Sequence, residues 1–141
     1  MKLITAESVS IGHPDKVADQ ISDAILDAYL TLDPDAKVAV ETLVKDNCVV
    51  LGGEISSTHR IDYESVIKNT VKEIGYTNPQ HGFYYKNITI INLIGQQSHE
   101  INSAVLKYSE NFLGAGDQGF MTGYATNETN TYMPIGMYVS K

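Results

Sequence analysis

A chain of 141 residues can bury a core of its own, and 43% hydrophobic content with 19% charged separates it from disordered chains. Its formal net charge of −7 argues against nucleic acid as a partner, because a surface that grips a polyanion needs a positive field. The single cysteine, Cys48, excludes an internal disulfide framework, and no apolar run is long enough to cross a membrane. With no hydrophobic signal region at its start, the sequence predicts a soluble, cytoplasmic protein.

Leu3 to Val9 reads as a first strand. From Asp15, the apolar residues Val17, Ile21, Ala24, Ile25, Ala28 and Tyr29 recur every three or four positions, predicting a helix with one buried face that Asp33-Pro34 stops. Val38 to Lys45 and Cys48 to Ile55 are strand-like, with Asp46-Asn47 as a two-residue hairpin turn. A second helix follows through Tyr63, Val66, Ile67, Thr70, Val71 and Ile74, capped by Asp62 and ended by Gly75. Asn87 to Ile94 is apolar and β-branched enough for a strand buried on both faces. Residues 97–113 lack a clean period and read as a long functional loop. Gly114 to Gly119 is a turn leading to a strand, Phe120 to Thr126, and a last apolar element starts at Met133 and is cut short, as in a fragment. This order predicts an α+β fold with helices packed on one face of a mixed or antiparallel sheet.

Chemistry concentrates first at Ser10-Ile11-Gly12-His13-Pro14-Asp15-Lys16. The first N–H groups of a helix have no intrahelical partner, so this end suits a phosphate-bearing ligand and its metal, with Pro14 in the first turn. An ordinary helix start, with Asp15 merely complementing the dipole, is the alternative.

The hairpin supplies a second constellation. A turn at Asp46-Asn47 pairs Lys45 with Cys48, Leu43 with Val50, Glu41 with Gly52 and Ala39 with Glu54. Glu41 and Glu54 then become diagonal neighbours on one face, roughly 7–8 Å apart at Cα. Val38, Val40, Val44, Val49, Leu51 and Ile55 occupy the opposite, core face. Gly52 and Gly53 leave room for a ligand or for another backbone to approach. An exposed sheet surface with two uninvolved glutamates is the alternative.

Taken together, the segments Glu7-Ser8-Val9-Ser10, Gly12-His13-Pro14-Asp15-Lys16, Ala18-Asp19-Gln20-Ile21-Ser22-Asp23-Ala24, Gly52-Gly53-Glu54-Ile55, Gly114-Ala115-Gly116-Asp117-Gln118-Gly119 and Gly123-Tyr124-Ala125-Thr126-Asn127-Glu128-Thr129 resemble one family. It is the amino-terminal part of the S-adenosylmethionine synthetases (methionine adenosyltransferases). The resemblance implies three related α+β domains, of which residues 1–100 are the first, 97–113 the mobile active-site loop and 114–141 the start of the second. It also implies joining ATP to L-methionine, with the triphosphate displaced and cleaved to pyrophosphate and phosphate.

By this resemblance His13 contacts ATP and helps catalyse the displacement, Asp15 ligates Mg²⁺ and Glu41 helps hold K⁺. Glu54 and Gln97 orient methionine, and Asp117 contacts the adenosyl or methionine portion. The family works as a homodimer or homotetramer with sites shared between subunits. Two departures stand out: Ile11 replaces a common Glu, and His99-Glu100 replaces a usual Pro-Asp in the loop. The family's later acidic and lysine-bearing motifs lie beyond Lys141, so residues 1–141 alone are expected to be inactive. A short non-enzymatic relative that binds a full-length synthetase is the competing expectation.

Overall fold

The computed structural model describes residues 3–96 and 119–141, which belong to two compact units: residues from Ile11 to Gln96 in one, residues 3–10 and 119–141 in the other. In the larger unit, helix α1 (Pro14–Leu32) is followed by strands β1 (Lys37–Lys45) and β2 (Cys48–Ser56), helix α2 (Tyr63–Ile74), a short 3-10 turn (Pro79–His81), and strands β3 (Thr89–Asn92) and β4 (Gly95–Gln96).

The predicted periods decide what each element buries. On α1 the stripe Val17, Ile21, Ile25 and Tyr29 is buried, and on α2 Ile67 and Val71 are fully covered. Both helices meet the core face of the sheet, where Val40, Val49, Leu51 and Ile55 are buried and Val38 and Val44 pack against them. Two hydroxyl contacts cross this layer: Ser22 Oγ to Thr42 Oγ1 at 2.8 Å and Tyr29 Oη to Tyr63 Oη at 2.7 Å. Burial, then the hydrogen bond with Tyr29, push the Tyr63 phenol well above its ordinary range. Helix α1 stops where the Asp33 N–H reaches Tyr29 O at 2.8 Å, and α2 stops at Gly75, whose φ of 117° is left-handed.

Strands β1 and β2 pair antiparallel in the predicted register, with Lys45 opposite Cys48, Glu41 opposite Gly52 and Ala39 opposite Glu54. Asp46 takes the left-handed turn position at φ 52°, which a short polar side chain tolerates. Asn47 then ties the turn to the next strand: its carbonyl accepts from the Thr89 N–H at 2.9 Å, and its side-chain amide donates to Asn87 O. Strands β3 and β4 both run parallel to β2 in one continuing register, interrupted at Leu93-Ile94. The sheet is mixed, with β2 in the middle.

Three sequence expectations are corrected. Leu3 to Val9 and Phe120 to Thr126 form no strand, since neither segment finds a pairing neighbour among the described residues. The strand at Asn87 to Ile94 is shorter, and it is covered on one side only: Ile90 and Ile94 are partly buried, while Ile91 and Leu93 are exposed. Helices cover a single face of this sheet, so an apolar β-branched run here does not mean two covered faces.

In the smaller unit the apolar tail forms a six-residue helix, α3 (Ile135–Ser140). Glu128 Oε2 accepts from the Ile135 N–H at 3.0 Å, and Thr129 Oγ1 both accepts from the Met133 N–H and donates to Met133 O. The Asn127-Glu128-Thr129 segment therefore organises the turn before α3.

The α2 cap gives a test. The Asp62 carboxylate accepts from the Ser65 hydroxyl at 2.6 Å and from the Ser65 N–H at 3.2 Å, and these bonds, the hydroxyl first, hold its pKa below the ordinary 3.8. A lowered folded pKa means the stabilisation is complete above 3.8 and is lost as pH falls through the folded value. Asp62→Ala is expected to lower the Tm at neutral pH, with the difference from the parent shrinking as melts are repeated below pH 3.8.

Candidate functional site

The first candidate group sits where α1 begins. His13 is the N-cap, with φ −63° and ψ 141°, and its ring Nδ1 accepts from the Asp15 N–H at 3.2 Å. An accepting Nδ1 places the proton of a neutral ring on Nε2, which points the remaining donor away from the helix. The separation between His13 Nδ1 and Asp15 Oδ2, 3.9 Å, is too long for a hydrogen bond, so the backbone N–H is the partner of Nδ1. The Asp15 carboxylate is 83% exposed. Lys16 turns instead to Asp19, at 2.7 Å, and that hydrogen bond and charge raise its pKa. One exposed carboxylate in the first turn of a helix, without a lysine partner, is thus available to a ligand.

Behind this loop, Tyr76 and Gln20 hold the two residues before His13. The Gln20 side-chain amide donates to Ile11 O at 3.1 Å and to Lys16 O at 2.7 Å, and the Tyr76 hydroxyl donates to Gly12 O. Neither residue stood out from its spacing in the sequence as part of the site. The available signals are that Tyr76 directly follows the helix-ending Gly75 and that Gln20 lies in the Ala18–Ala24 segment of the family resemblance.

The second group lies on the uncovered face of the sheet. Glu41 and Glu54 share it as the register requires; both are exposed, and neither carboxylate has a hydrogen bond or ion pair among the described residues. Between them Gly53 has φ 116°, and a Cβ there would stand 2.0 Å from the Ala39 carbonyl oxygen. The close approach foreseen for the glycine pair is therefore by a backbone at Gly53, whereas a Cβ on Gly52 would meet nothing within 4 Å. Next to Glu41 and Gly52, Leu43, Val50 and Ile91 form a row across β1, β2 and β3, with Leu43 63% and Ile91 44% exposed.

These two groups are not brought together within one copy. Helix α1 packs on the covered face of β1, and its first residues, Pro14 and Val17, border Val44, Lys45 and Asp46 at the hairpin turn. The glutamates project from the opposite face. Gln97 and Asp117, and the loop 97–113, lie outside the described residues.

No cluster of three or more His, Cys, Asp or Glu side chains able to hold a metal occurs among the described residues. Mg²⁺ bound with a nucleotide takes one or two carboxylates plus phosphate oxygens and waters, so Asp15 alone fits that role. Glu41 offers K⁺ a single carboxylate, and it belongs to no cluster of three or more His, Cys, Asp or Glu side chains among the described residues.

Comparison with known proteins decides the family. The pattern of the S-adenosylmethionine synthetase N-terminal domain matches residues 1–99, and that of the central domain of the same enzymes matches residues 112–141. The chain belongs to the S-adenosylmethionine synthetase family. It is 51% identical over 133 residues to the S-adenosylmethionine synthase of Borreliella afzelii (strain PKo), covering 93% of this chain and 34% of the relative. With the S-adenosylmethionine synthase of Porphyromonas gingivalis (strain ATCC BAA-308 / W83), identity is 52% over 133 residues, 94% of this chain and 31% of the relative. That of Cytophaga hutchinsonii is 50% identical over 135 residues, 96% of this chain and 32% of the relative. The chain thus spans about a third of the length of these synthetase-family relatives.

Proposed function

We propose that this chain carries part of a methionine adenosyltransferase site, working within a longer protein that makes S-adenosylmethionine from ATP and L-methionine. The observation that carries the reading is the family match together with an exposed Asp15 carboxylate, free of any hydrogen bond among the described residues, beside the His13 cap. In this reading residues 1–100 form the N-terminal domain and 114–141 begin the central domain.

A thioether sulfur is nucleophilic without losing a proton, so no general base is needed for its attack on C5′ of the ribose. The reaction needs the sulfur, the carbon and the leaving oxygen in line, and it needs the charge growing on the triphosphate to be met. His13 lies against the ribose and phosphates, where its Nε2–H donates to the leaving oxygens. Asp15 holds Mg²⁺, which when bound neutralises triphosphate charge. Glu54 and Gln97 orient methionine, and Asp117 contacts the adenosyl or methionine portion. Glu41 contributes one oxygen ligand to K⁺. An acidic protein binds ATP in this way through cations and helix N–H groups instead of a positive surface.

The two groups of residues point from opposite faces of one copy, which supports a site shared between two copies in a homodimer or homotetramer. The row Leu43, Val50 and Ile91 beside Glu41 and Gly52 supplies apolar surface for that contact. Leu43→Glu in the complete protein is expected to convert the oligomer to monomers by sedimentation velocity and to abolish turnover. An unchanged sedimentation coefficient would remove this face from the interface.

No helix among the described residues is long and apolar enough to cross a membrane, in keeping with a cytoplasmic enzyme. The reading is tested by expressing the coding sequence at full length and supplying ATP, L-methionine, MgCl2 and KCl. S-adenosylmethionine, pyrophosphate and phosphate are expected in equal amounts, with no product from residues 1–141 alone. No S-adenosylmethionine from the complete protein would overturn it. A second reading, a binding or assembly module for a full-length synthetase, is favoured by the uncovered sheet face; it requires capture of a full-length synthetase by residues 1–141.

A further inference from the structure

We infer that Tyr76 is a positioning residue for His13, its hydroxyl fixing the Gly12 carbonyl while the Gln20 amide fixes the Ile11 carbonyl. The inference rests on the role proposed above for His13 and adds the residues that hold it in place. Two successive carbonyls leading into His13 are each bound by a side chain, one from within α1 and one from the chain after α2, 64 residues away.

Tyr76 is itself firmly set. Its N–H donates to Val71 O at 3.2 Å, its carbonyl accepts from the Tyr85 N–H at 3.2 Å, and its ring stands edge-on to Phe83 with centroids 5.0 Å apart. Gly12 permits the approach, since a Cβ there would already lie 3.3 Å from the Tyr76 hydroxyl. Beside the loop lies a cavity of about 390 Å³ lined by Pro14, Val17, Val44, Tyr76 and Phe83 among others. The two hydrogen bonds hold the chain before α1, ahead of Val17, where the helix enters the core. The ring whose Nδ1 is bound to the Asp15 N–H and whose Nε2–H must meet the nucleotide depends on that hold.

Misplacement of a reacting group by about 1 Å is enough to slow a reaction about 100-fold. Tyr76→Phe keeps the ring and its contact with Phe83 and removes only the hydroxyl. In the complete protein it is expected to lower kcat for S-adenosylmethionine formation by about 10- to 100-fold, with KM for methionine within about twofold and Tm nearly unchanged. Gln20→Met, which keeps the length and loses the donor, is expected to act in the same direction, and Tyr84→Phe to leave kcat alone. Two-dimensional ¹H–¹⁵N spectra of the His13 ring supply the readout that does not need turnover: the Nε2–H tautomer in the parent, a mixture in Tyr76→Phe. A Tyr76→Phe protein with parental kcat, or with parental His13 ring signals, overturns the inference, as does a loss of Tm that accounts for the lost rate. If the parent itself makes no S-adenosylmethionine, the proposed function fails, and the ring signals alone then decide whether Tyr76 positions His13.

Discussion

Gly53→Ala is expected to destabilise the larger unit by about 3 kcal/mol or more, the sum of a disfavoured positive φ and a backbone overlap. The overlap is severe. A Cβ would stand 2.0 Å from the Ala39 carbonyl oxygen and 3.2 Å from the Val40 Cα, and neither atom is the end of a flexible side chain that can step aside. Relief requires β1 and β2 to separate at the Val40–Gly53 pair, in the middle of the sheet. Ala39 and Glu54 pair immediately beyond it, so any relief also moves the Glu54 carboxylate assigned to methionine. Gly52→Ala is the internal control, because nothing lies within 4 Å of a Cβ there. Urea denaturation of the two variants should separate them by most of the 3 kcal/mol; equal midpoints would contradict the strained pairing at Gly53.

Asp15→Asn is expected to cut S-adenosylmethionine formation in the complete protein by about 100-fold or more, the usual scale for losing one group that meets developing charge. The same substitution should leave Tm within about 2 °C, because an exposed surface side chain of this kind contributes little to folding. This carboxylate accepts no hydrogen bond among the described residues: Lys16 bonds Asp19, and the His13 ring stands 3.9 Å away with its Nδ1 on the Asp15 backbone N–H. Loss of rate should therefore be partly recovered by raising Mg²⁺. A fall in Tm large enough to explain the fall in rate would assign Asp15 to the fold.

Much of this was legible in the sequence, for reasons that differ between elements. The α1 stripe and the hairpin register followed from local chemistry alone, because a helical period and a two-residue turn determine which side chains share a face. The sequence alone therefore places Glu41 and Glu54 on one face. The strand at Asn87 to Ile94 differs from its expectation because its composition does not say how many faces are covered; that depends on where α1 and α2 pack. Leu3 to Val9 and Phe120 to Thr126 carry strand-like residues, yet β structure needs a partner, and composition does not supply one. The holding role of Tyr76 and Gln20 is not legible in the sequence for the same reason, although Gln20 lies in one of the segments that carry the family resemblance. Their importance lies in reaching two carbonyls beside His13, and such reach is a property of the folded chain.

The central claim is that the beginning of α1 receives a nucleotide through Asp15 and His13. Its most direct test is a crystal structure of the complete protein grown with a non-hydrolysable ATP analogue, MgCl2 and methionine. The account requires the triphosphate at the first turn of α1, Mg²⁺ at about 2.0–2.1 Å from an Asp15 carboxylate oxygen, and the His13 ring beside the leaving oxygens. A nucleotide bound with its phosphates remote from both residues would contradict it.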